Sequence, residues 1–164
     1  MLGVVCSAGL SGCNRAAAGT TSVPTAKAIS EARPEIAMIA LPTKSKYLAI
    51  HTLAMWDNPY LTVQENMVTL HVTLADANTS SLGVGGMLRP IGARRQVLNI
   101  RMSDLPSALD AVPEDAWPYG RVVAVLEAEK TPASAEPAVR RNVEATLKTL
   151  NDLGVLAYEW NDSK

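Results

Sequence analysis

Two histidines, His51 and His71, and several carboxylates carry most of the titratable chemistry of this chain. Imidazoles joined by an acid such as Glu65 or Asp76 are the ligand types of a transition-metal site. The plainer alternative sets both rings on the solvent side of a half-buried sheet. Glu127 and Glu129 alternate at the end of an expected strand, where α/β folds place sites. Side chains two apart share a strand face, so both carboxylates could enter one crevice; otherwise they mark a solvated strand end. Arg89, Arg94, Arg95 and Arg101 form a basic group suited to phosphate or an acidic polymer, or else a solvated hairpin. Trp117-Pro118-Tyr119 is either an exposed aromatic platform or a loop packed on the sheet.

Sharper signatures are missing from the sequence. Gly83-Val84-Gly85-Gly86 has no Lys-Ser/Thr after it, so it does not match a phosphate-binding loop. No serine stands in a Gly-x-Ser-x-Gly elbow. With two cysteines, Cys6 and Cys13, a cysteine zinc site lacks ligands. A disulfide between them would close only a terminal loop. No cofactor and no catalytic residue is therefore assigned, and an enzyme is the less favoured class.

The elements that must position these groups follow from periodicity. Thr25 to Ala32 suggests a short helix ended by Pro34. Glu35 to Pro42 is ambiguous. Tyr47 to Met55 has the character of a strand, and Asp57-Asn58-Pro59 of a turn. Tyr60 to Gln64 suggests a short strand and Glu65-Asn66 a tight turn. Val68, Leu70, Val72 and Leu74 alternate with Thr69, His71 and Thr73, the pattern of a half-buried strand. Asp76 to Gly86 reads as loop, and Gln96 to Met102 as another strand.

Leu105 and Leu109 then mark a short helix, and Pro113 to Gly120 a loop. Val122 to Leu126 is a continuous apolar run, expected where both faces of a strand are covered. Ser134 is the expected N-cap of a helix bearing Val139, Val143, Leu147, Leu150 and Leu153 on one stripe. Glu144 and Lys148 are spaced for an ion pair on its exposed side. Gly154 ends that helix, and Val155 to Trp160 is the last strand. The expected class is α+β: a small mixed sheet with two helices on one face and a C-terminal βαβ unit.

Composition narrows the partners. Fifteen basic and sixteen acidic side chains give a net charge of −1 over 164 residues, so no nucleic-acid footprint is expected. With no Phe, three Trp and four Tyr, the core must be mainly aliphatic. The length suits one domain.

Met1 to Leu10 is apolar and small, and Leu10-Ser11-Gly12-Cys13 follows it. This resembles a bacterial lipoprotein signal with its lipobox. The resemblance implies cleavage before Cys13, a lipid on Cys13 and a place in the bacterial cell envelope, facing the periplasm. Asn14 after the cysteine favours the outer membrane over the inner. No Lys or Arg precedes the apolar run, so the natural start is expected upstream of Met1. The expected organisation is a signal over 1–12, lipidated Cys13 with a linker over 13–24, and one domain over 25–164. As a flexible chain, residues 14–24 would span roughly 18 Å.

From Arg121-Val122-Val123-Ala124-Val125-Leu126-Glu127-Ala128 through the stripe Val143, Leu147, Leu150 to Leu153-Gly154-Val155, the chain resembles the periplasmic domain of the ExbD/TolR family. The resemblance covers roughly 66–160. It departs from that family at the N-terminus, where a lipobox replaces the transmembrane helix and its carboxylate. The motor role is therefore not implied; dimerisation and contact with an envelope protein or peptidoglycan are. The expected function is a non-catalytic, lipid-anchored envelope domain that binds another envelope component. Its candidate surface comprises Trp117, Tyr119, Glu127, Glu129, Arg94 and Arg95. The alternatives are an envelope hydrolase and a small-ligand or metal-binding lipoprotein.

Overall fold

The computed structural model describes residues 22–74 and 94–160. Helix α1 spans Ala26–Met38. Its N-cap is Thr25, whose hydroxyl accepts from the Ala28 N–H at 3.2 Å. Pro34 does not end it as the sequence suggested. The ring lies inside the helix on an exposed turn, while Ala32 and Ile36 on the other side are buried. Burial of that face outweighs the one backbone bond a proline removes.

The chain then crosses beneath the sheet. Short helix α2, Lys44–Tyr47, and a single 3-10 turn, Leu53–Met55, occupy the stretch whose pattern suggested a strand. Tyr47 and Trp56 explain the difference. Both are buried inward-facing aromatics, and their contacts come from strands far along the chain. No local alternation could signal them.

Among the described residues five strands follow the expected order: β1 Tyr60–Val63, β2 Val68–Leu74, β3 Arg94–Ile100, β4 Val122–Glu127 and β5 Leu156–Glu159. They lie side by side as β3-β2-β1-β4-β5. β1 pairs antiparallel with β2 and parallel with β4. β2 pairs antiparallel with β3, and β4 parallel with β5. Helix α3, Leu105–Asp110, follows β3, and helix α4, Glu136–Leu153, follows β4.

The parallel pair β4 and β5 is joined by α4, giving the C-terminal βαβ unit. Val139, Leu150 and Leu153 of the stripe are buried, with Val143 and Leu147 partly so. Ser134 is not the cap: Ala135 holds that position without a side-chain bond, and Pro137 falls in the first turn. Gly154 ends the helix at φ 77°, with its N–H on Asn151 O and the Val155 N–H on Leu150 O at 2.9 Å. Lys148 pairs forward with Asp152 at 2.7 Å rather than back with Glu144.

The mixed sheet is thus two-faced. On one side Leu61, Val63, Leu70, Val72, Val123 and Val125 meet the buried residues of α1, α3 and α4. On the other, Val122, Ala124 and Leu126 meet Tyr47 and Trp56. β4 is therefore covered twice, which accounts for its unbroken apolar run.

Candidate functional site

Among the described residues, the second face of the sheet is covered over β4 and β5, by the strap of residues 39–58. Its anchor is Asn58, which is 1% exposed. The Asn58 Nδ2 group donates to Gly120 O at 2.7 Å and to Val122 O at 2.8 Å. Its Oδ1 accepts the Tyr119 N–H at 2.9 Å. Both polar atoms of this buried amide are used, so it ties the strap to the start of β4. A second tie runs along the backbone, from Thr43 N to Tyr119 O and from Arg121 N to Ala40 O. Gly120 stands between them at φ 82°, where a Cβ would lie 2.5 Å from Leu41 O. Only glycine fits that approach.

Above the strap, aromatic rings pack edge to face and in one stack. Trp56 stacks on Tyr158 with centroids 5.6 Å apart, and meets Tyr119 and Trp160 edge-on. Trp56 Nε1 donates to Pro59 O at 3.2 Å.

Beyond Tyr60 this aromatic covering stops and the face becomes polar. His71 lies opposite Tyr60 in the β1–β2 register and opposite Val97 in the β2–β3 register. The His71 and Tyr60 rings stack, and His71 Nε2 is 3.3 Å from Thr62 Oγ1. Beside them the Thr69 hydroxyl accepts from Gln64 Nε2 and donates to Asn99 Oδ1 at 2.9 Å. Burial, and then the Arg95 guanidinium, hold the His71 imidazole below its usual range. A neutral ring at a polar sheet surface can donate and accept. Its bonded partner among the described residues is a hydroxyl, which does not drive proton transfer as a carboxylate would.

The residues singled out by type and spacing are dispersed over the molecule. Trp117 is 4% exposed and belongs to the helix-side core, so it is packed and not displayed as a platform. Its Nε1 is buried without a hydrogen-bond partner among the described residues. Tyr119 is half-buried; its hydroxyl accepts from Asp57 N and reaches Met55 O at 3.2 Å. Arg94 and Arg95 are both exposed, but consecutive strand residues face opposite ways. Arg95 shares the face of His71, Arg94 the face of Leu70. Arg101 follows β3 as an exposed residue, and Arg89 lies outside the described residues.

Glu127 closes β4 opposite Val63, whereas Glu129 sits in the following turn. Both are exposed, and the strand ends between them, so the shared-face geometry does not arise. His51 lies on the exposed strap and not on a strand. Among the described residues no three His, Cys, Asp or Glu side chains gather as a metal-holding group. Cys13 and Asp76 lie outside the described residues, as do the Gly83–Gly86 loop and the signal.

One feature was not found from the sequence. Asn58 was legible only as part of a turn, because its partners stand about sixty positions away. The outer edge of β5 is a second candidate surface. Among the described residues β5 has one neighbour, β4, and Leu156 on it is 42% exposed. Leu156 N and Trp160 N donate inward, to Arg121 O and Val125 O, so the alternate residues Ala157 and Glu159 aim their backbone groups outward. A hollow of about 760 Å³ also opens between α1 and the end of α4, with Arg33 and Asp152 among its lining. None of the candidate residues named from the sequence lines it.

No protein-family model, curated protein or solved structure matches the chain.

Proposed function

We propose that this chain is a lipid-anchored bacterial envelope protein whose α+β domain works by binding, without catalysis. Leu10-Ser11-Gly12-Cys13 supports the anchor, and residue order over 66–160 supports likeness to the ExbD/TolR periplasmic domain. The partner is another envelope component or a second copy of the chain.

The observation that carries the binding role is the outer edge of β5, open among the described residues. N–H and C=O groups that point away from their own sheet are a template for a further strand. Leu156 adds an apolar contact beside them. The edge is short, four residues, which limits non-specific pairing.

Two measurements test the proposal. The intact mass of protein extracted from membranes should equal the chain from Cys13 plus acyl groups; an unmodified, unprocessed mass sinks the anchor. A photo-crosslinker at Glu159 should join the chain in cells to one product of discrete mass. Ala157→Pro, which removes an outward N–H that its own sheet does not use, should abolish that product. Failure to crosslink at any β5 position sinks the edge as the binding element.

A further inference from the structure

We propose that the outer surface of the strap rests on an anionic lipid surface. Tyr47 and Trp56 turn inward to the sheet and are essentially buried. Between and beside them the strap turns large apolar groups outward: Leu41 is 71% exposed, Leu48 53% and Met55 58%. Apolar side chains grouped on one short segment mark an interaction surface more than scattered single residues do.

Charge selects the occupant. No Asp or Glu stands between Glu35 and Asp57 in the sequence, while Lys44 and Lys46 are exposed in the middle of the stretch. Apolar residues interleaved with lysines, and no acids, suit the boundary between acyl chains and anionic headgroups. The long Lys44 stem can lie along that boundary with its ammonium group among the phosphates, and Lys46, whose Nζ donates to Pro118 O at 3.2 Å, has further N–H groups to offer them.

The position of the tether agrees. Ser22 lies nine positions after Cys13, an extended reach of at most about 32 Å. Helix α1 carries the chain only about 20 Å from Ala26 to Met38. The extended reach of the tether therefore exceeds the length of α1, the helix between it and the start of the strap. This last step rests on the lipid anchor proposed above; the lipid contact itself does not.

The test uses the whole chain with Cys13→Ser, which cannot be acylated. It should co-sediment with vesicles of phosphatidylglycerol and phosphatidylcholine, and far less with phosphatidylcholine alone. Lys44→Gln with Lys46→Gln should weaken that binding about tenfold or more, and added salt should weaken it too. Leu48→Asp with Met55→Asp should abolish it while the circular dichroism and melting temperature stay those of the parent. All these chains share residues 1–21, so differences among them read the strap alone. Equal binding by the parent and the Leu48→Asp/Met55→Asp chain, or none by either, overturns the proposal. Vesicle binding by a chain whose natural form carries no lipid would retain the strap and remove the anchor. Acylation without strap-dependent binding would do the reverse.

Discussion

The His71 imidazole lies flat against the Tyr60 ring, with centroids 4.2 Å apart and planes within 5° of parallel. The two residues are direct cross-strand partners of β1 and β2, so the hairpin register itself brings them together. Tyr60 is also where the aromatic covering of the second face ends. His71 is thus the first residue beyond it, half in water and half against a ring.

That position makes stability depend on acidity. The folded state holds the His71 pKa below its reference of 6.5, through burial and then Arg95. Above that reference both folded and unfolded chains keep the ring neutral, and His71 adds no slope. As pH falls below it the unfolded chain takes up its proton first, so stability declines until the folded ring protonates as well. Urea unfolding midpoints across this window should fall with pH, and His71→Gln should flatten the slope. An unchanged slope in the variant would remove His71 as its source.

Asn58→Ala should cost about 3 kcal/mol or more, since it removes three hydrogen bonds made by one buried amide, Gly120 O keeping only its bond from Val122 N. Asn58→Asp should not rescue it. The carboxylate can still accept from Tyr119 N but has nothing to donate to Gly120 O and Val122 O. Chemical denaturation of both variants measures this, and a loss under about 1 kcal/mol for Asn58→Ala would contradict the anchoring role.

The two glycines with positive φ should respond differently to alanine. At Gly154 the nearest atom to an added Cβ is Arg121 Nη1 at 3.9 Å, leaving only the backbone cost of about 1–2 kcal/mol. At Gly120 the Cβ would meet the backbone oxygens of Leu41 and Ala40 at 2.5 and 2.7 Å. Gly120→Ala should therefore cost clearly more, about 3 kcal/mol or above. Thermal melts of the pair should rank in that order; equal melts would mean the strap yields freely.

The parts of this fold that were legible in the sequence are those whose partners are near or whose period is regular. The run Val122–Leu126 announced a strand covered twice, and the stripe from Val139 to Leu153 announced its crossover helix. The strap was not legible. Tyr47 and Trp56 sit in a stretch with a strand-like apolar pattern, and only β4 and β5 decide that it caps the sheet instead. Pro34 misled for a related reason: a local stop signal lost to the burial of Ile36. Trp117 and the Glu127/Glu129 pair stand out by residue type, and type does not say whether a ring is inside or where a strand ends.

The pairing of β1 with β4 has a consequence for how the molecule comes together. β1 and β2 are near neighbours in the chain and close as a hairpin; β4, α4 and β5 likewise form a unit from adjacent sequence. The two meet along a single parallel seam, Tyr60 with Ala124 through Val63 with Glu127, and its closure must bring together residues some sixty positions apart. Asn58, lying at one end of that seam, secures a junction that neither half can make by itself. Long-range closure of this kind slows folding more than local pairing does, and the strand order places that cost at a single seam.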